Sequence, residues 1–166
     1  MSHYTPNFYK IVKEKSLALT DAQYLDTINY LVDEQPILAS LLFDLDEEIP
    51  EEMQEYLYQA VLMLVSGFKE VGLHVNMVGE DGIKKIINEK NELYKSIIND
   101  ENPQFDKEKL LSLSDNPSVL RLLFDNFFDR ISQHQKYNVY DHLNLMFMLD
   151  VLISVIEEHT DLHREI

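Results

Sequence analysis

Cysteine and tryptophan are both absent from this 166-residue chain. Without a thiol there is no disulfide, no thiolate zinc site, no iron–sulfur cluster and no cysteine nucleophile. Glycine occurs only four times and proline five. A β-sandwich needs turn residues every ~8–12 positions, so this scarcity favours helices. Four glycines also leave no phosphate-cradling loop, and neither G-x-G-x-x-G nor a Walker A run occurs. The nucleophile pattern G-x-S-x-G is missing as well. No apolar h-region follows Met1, and the most apolar stretch, residues 143–156, is interrupted by Asn144, Asp150 and Ser154. A bilayer span needs ~18 or more apolar residues, so this stretch is read as a buried core helix. A cytoplasmic location is expected.

Basic residues are the other shortage. Lys and Arg number 14 against 30 Asp and Glu, a net charge of −16. Such a charge repels phosphate backbones and anionic lipid, so neither nucleic acid nor membrane is an expected partner. The deficit is also local. Residues 16–68 contain no Lys or Arg and hold eleven acids. Seven of them, Asp44, Asp46, Glu47, Glu48, Glu51, Glu52 and Glu55, fall within twelve positions. Glu51 and Glu52 follow Pro50 in a first helical turn, where the helix dipole favours them. Asp44, Asp46, Glu47 and Glu48 follow the end of the preceding helix, where it does not.

What is present is helical periodicity. A length of 166 suits one domain, with an apolar fraction of 45% that is ordinary for a globular chain. Thr20 or Asp21 caps a helix to about residue 32, with Tyr24, Leu25, Ile28, Leu31 and Val32 as its apolar set. Pro36 opens a second helix, with Ile37, Leu38, Leu41, Leu42 and Leu45 inward. Pro50 opens a third, which ends near Gly72. Residues 72–82 form a loop with a weak alternation at 74–78. Asp81 caps a helix to about residue 98, and a short helix covers 106–113. Pro117 starts another, carrying Leu120, Leu123, Phe124, Phe127, Phe128 and Ile131. The last helix runs over 139–159. The expected fold is thus all-α, with seven or eight helices and no clear strand.

The two halves resemble each other. PILASLLFD at 36–44 aligns with PSVLRLLFD at 117–125. KIVKEK at 10–15 matches KIINEK at 85–90, and LVS at 64–66 matches LIS at 152–154. The offsets drift from 75 to 88, as loop insertions would produce. The expected architecture is a single-domain helical bundle over 1–166, an internal duplication of a three- to four-helix unit, with halves about 10–71 and 85–158. The very apolar helices around 60–65 and 145–156 are expected to pack together in the middle.

Three functional readings follow. The leading one is a non-catalytic interaction module, an adaptor, inhibitor or immunity-type partner, with no cofactor. It engages a basic protein surface through Asp44, Asp46, Glu47, Glu48, Glu51, Glu52 and Glu55. The second rests on Glu48-x-x-Glu51, Glu52-x-x-Glu55 and Glu89-x-x-Glu92, each placing two carboxylates on one helical face. These pairs are similar to those of all-α nucleotide pyrophosphatases of the MazG type. The resemblance covers the pairs alone, without the further acidic motif of that family, and implies a Mg²⁺-dependent hydrolase. The third is a small apolar ligand between the central helices, beside Met63, Met146 and Phe147. Among the histidines, His159 and His163 have the i, i+4 spacing of a metal pair. His142 is expected to bond a backbone group.

Overall fold

The computed structural model describes residues 8, 10–11, 13–14, 21–43, 49–70, 72–98, 104–129 and 137–161. It is all-α as predicted. Among the described residues the helices are α1 (Asp21–Glu34), α2 (Pro36–Phe43), α3 (Glu51–Glu70), α4 (Glu80–Ile98), α5 (Lys107–Leu111), α6 (Pro117–Asp129) and α7 (Val139–Glu158). Two strands of two residues each, β1 (His74–Val75) and β2 (Thr160–Asp161), pair antiparallel, with His74 opposite Asp161 and Val75 opposite Thr160. The sequence reading gave no place to β2.

The prolines set the helix starts. Pro36 and Pro117 each occupy a first helical position, where the missing N–H has no partner to lose. The carbonyl before each begins the ladder: Ala39 N–H donates to Gln35 O at 2.9 Å, and Leu120 N–H to Asn116 O at 3.1 Å. Pro50 stands one place earlier relative to its helix. Its carbonyl accepts from Met53 at 3.0 Å and Gln54 at 3.1 Å, so Glu51 and Glu52 form the first turn of α3. α4 starts one residue ahead of the expected Asp81 cap. The Gly79 carbonyl accepts from Ile83 N–H at 3.2 Å, which leaves Asp81 inside the first turn. α7 opens with a capping box: the Asn138 side chain accepts from Asp141 N–H, and the Asp141 carboxylate from Asn138 N–H.

α3 stops at Gly72, whose φ of +83° suits a residue without Cβ. The Leu73 N–H turns back to the Phe68 carbonyl at 2.9 Å. The chain then enters β1, and the neighbouring Asn76 N–H donates to the His159 carbonyl at 2.8 Å. This joins the exit of α3 to the end of α7. Gly82 lies at the same junction. A Cβ there would sit 3.0 Å from two atoms of the His159 ring.

α3 and α7 are the interior helices and pack on each other as expected. α7 buries side chains around most of its circumference, from Leu143 to Ile156, against α3, α4 and α6. It is long and apolar enough to cross a bilayer, but most of that surface is covered by the protein itself. α3 buries Met53, Tyr56, Leu57, Ala60, Val61, Met63, Leu64 and Phe68. α1 and α2 cover α3, and α5 packs on α6. Met63 and Met146 are packed core, and Phe147 meets the Tyr94 ring edge-on at 5.3 Å.

Part of the expected apolar face of α1 is on the outside. Leu31 is buried, whereas Leu25 is 63% exposed and Val32 55%. Adjacent helical residues diverge by ~100°, so a stripe through Leu31 cannot also contain Val32, whereas Leu25 and Val32, seven apart, share one. In α2 the buried set is Leu38, Ala39 and Leu42, while Ile37 is turned toward solvent. Leu45 and Ile131 lie outside the described residues.

Candidate functional site

Of the seven acids expected to form a docking patch, Asp44, Asp46, Glu47 and Glu48 lie outside the described residues. Glu51, Glu52 and Glu55 are exposed on the first turns of α3. Pro50 fixes where that helix begins, and the free N–H groups of its first turn give the carboxylates a favourable field. Glu52 also anchors structure, because its Oε2 accepts a hydrogen bond from the Tyr137 hydroxyl. Among the described residues of the other half, several charges pair with one another. Lys84 meets Glu80 at 3.0 Å, Lys85 meets Glu158 at 3.3 Å and Lys107 meets Asp125 at 2.9 Å. Arg121 grips Glu108 through two bonds of 2.6 and 2.7 Å, which holds the Glu108 carboxyl below the usual range.

The carboxylates of the hydrolase reading are divided between helices. Glu51, Glu52 and Glu55 are on α3, and Glu89 and Glu92 on α4. Both helices pack on α7. Among the described residues no three acids or histidines stand close enough to share a metal ion. His159 turns Nδ1 to the Val155 carbonyl at 2.7 Å, and His163 lies outside the described residues. His142 bonds the backbone as expected, with Nδ1 2.8 Å from the Asn138 carbonyl. Its ring stacks on Phe128 with a centroid distance of 4.8 Å.

The most polar part of the interior did not emerge from the sequence. Asp150, in the middle of α7, is 0% exposed at its side chain, and Lys90 of α4, 5% exposed, lies 3.3 Å from its Oδ1. The Tyr94 hydroxyl donates to Asp150 Oδ2 at 3.2 Å, and the Ser114 hydroxyl to Oδ1 at 2.9 Å. Ser114 Oγ in turn accepts from Asn116 N–H at 3.0 Å, and the Asn116 amide donates to Glu157 at 3.1 Å. A buried carboxylate is tolerable only with donors of this kind. The network ties α4, the segment before α6, and α7 together. Of its members Lys90, Asn116 and Glu157 line a cleft of about 340 Å³, with Glu89, Asp115 and Glu158 also around it. Three of these charged groups already have internal partners: Lys90 in Asp150, Glu157 in Asn116 and Glu158 in Lys85.

Burial, and then the charge and hydrogen bond of Asp150, push the Tyr94 hydroxyl well above the usual tyrosine range. In the unfolded chain it titrates near the ordinary value of about 10. Its contribution to stability is therefore complete below that pH. It is lost as the pH rises further, because the unfolded chain sheds its proton first. Denaturant unfolding of the wild type should weaken more steeply above about pH 10 than that of Tyr94→Phe. Parallel declines would contradict this placement of Tyr94.

Comparisons with protein-family models, with curated proteins and with solved structures find no match to this chain.

Proposed function

We propose that this protein is a cytoplasmic, non-catalytic interaction module that engages a basic protein surface through Asp44, Asp46, Glu47, Glu48, Glu51, Glu52 and Glu55. The observation that carries the reading is the complete lack of Lys and Arg across residues 16–68, set beside eleven acids. Two features support it. Glu51 and Glu55 project from the exposed start of α3. Five basic residues of the other half, Lys84, Lys85, Lys90, Lys107 and Arg121, are engaged with acids of that same half. A field of one sign accelerates encounter with a partner of opposite charge and disfavours anionic competitors.

The scaffold of this reading is a single bundle of two related units, residues about 10–71 and 85–158. Several correspondences support the duplication. Pro36 and Pro117 both start helices, each preceded by a buried amide, Gln35 or Asn116. Each of these helices is followed by a 20-residue interior helix, α3 or α7. Leu38, Ala39 and Leu42 are buried, and so are their counterparts Val119, Leu120 and Leu123. The alignment puts Leu62 opposite Asp150. The polar network is then particular to the second unit, and the surplus of negative charge to the first.

The test is affinity capture from the native host with two baits, the wild type and a variant carrying Asn at 44 and 46 and Gln at 47, 48, 51 and 55. Glu52 and its bond to Tyr137 are kept. The reading expects a basic protein that the wild type retains at low salt and releases near 0.5 M, where the Debye length shrinks to roughly 4 Å. The variant should fail to retain it at either salt. Equal retention by the two baits would contradict the reading.

A further inference from the structure

We propose that the outer face of α1, centred on Leu25 and Val32 with Met77 beside its end, is a docking surface for a cationic amphipathic helix. The inference rests on the reading above and adds a second, apolar contact to it. Three large apolar side chains stand in solvent here: Leu25 at 63%, Val32 at 55% and Met77 at 64% exposure. Leu25 and Val32 are seven residues apart, so they share one stripe, with exposed Asn29 between them. Met77 is held next to the end of that helix. Gln35, one residue past α1, donates through Nε2 to the Asn76 carbonyl at 3.0 Å and accepts from Val78 N–H at 2.8 Å. Met77 is thereby clamped between two backbone groups tied to one buried side chain. A methionine on a binding surface adapts its shape to varied apolar partners.

The charge around the stripe selects the occupant. Asp26 and Asp33 are exposed and run alongside it at the same seven-residue spacing, with exposed Glu34 at its end. No Lys or Arg lies in the surrounding sequence from 16 to 68. A second copy of this chain would bring like charges together, and an anionic lipid surface would be repelled. A helix with an apolar stripe and basic flanks satisfies both parts, its apolar side chains covering Leu25, Val32 and Met77 and its basic ones meeting Asp26 and Asp33.

The probe is a synthetic helical peptide of about 14 residues, roughly 20 Å long, with Leu on one face and Lys on the other. An oligolysine of equal charge is the companion. Anisotropy titrations should show the Leu/Lys peptide binding at least about tenfold tighter than oligolysine. The variant L25N/V32N, which leaves the net charge unchanged, should remove that difference and leave oligolysine binding as it was. Wild-type affinity for the Leu/Lys peptide in L25N/V32N, with loss on neutralising Glu51 and Glu55, would overturn the α1 site and leave the acidic-patch reading standing. No binding of either cationic peptide would overturn both. A wild-type dimer in light scattering that L25N/V32N dissociates would assign the face to self-association and overturn the proposal.

Discussion

Asp150→Ala is expected to cost about 3–5 kcal/mol of folding stability, as removal of one partner from a buried ion pair does. The loss arises mainly from what is left behind. Lys90 is left without its counter-ion in a site where its side chain is 5% exposed, and Tyr94 and Ser114 lose their acceptor. For a chain of this size the melting temperature should fall by roughly 6–20 °C. A second variant separates the pair from its debris. Removing both charges, as Lys90→Met with Asp150→Leu, should recover most of the loss, because the desolvation of two ions disappears together with their attraction. Denaturant unfolding of the single and double variants provides the measurement. A single-variant loss below about 1 kcal/mol would mean that water reaches Lys90 and that the site is not dry.

Leu149→Ala should be almost as damaging, at about 2–5 kcal/mol. Leu149 is fully buried on α7, the helix that touches α3, α4 and α6. Truncation there opens a cavity between elements that cannot all close upon it. The same substitution at Leu93 is the control. Leu93 is 46% exposed at the cleft rim, so its loss should stay within about 0.5–1 kcal/mol. Similar losses at the two sites would contradict the central placement of α7.

Helix positions were legible because local rules decide them. Proline at 36 and 117, the glycine at 72 and the Asn138–Asp141 pair act within one or two turns of themselves. The apolar α3 and α7 were legible as interior because most of their surfaces need cover. Three things were not legible. The β1–β2 pairing joins residues more than eighty positions apart, and two-residue strands carry no periodic signal. The exposed Leu25 and Val32 satisfy helical spacing as well as a core residue does, and only Leu31 shows which way the helix faces. The buried pair carries a signal divided between two distant places in the chain. Lys90 falls on the stripe of Ile83, Ile86 and Tyr94, and Asp150 interrupts the most apolar run of the chain. Opposite charges that each sit on a core-facing stripe are candidates for one another. The acidic segment was legible as a charge distribution, since counting needs no fold. Which of its carboxylates also hold the structure, as Glu52 does for Tyr137, needs a contact across 85 residues.

Amide shifts on titration with oligolysine test the central claim most directly, because they show which half of the molecule a cation seeks. If the first half carries the free negative surface, shifts will concentrate between residues 21 and 55 and vanish near 0.5 M salt. Shifts spread evenly over the helices, or gathered on α4 and α7, would contradict it.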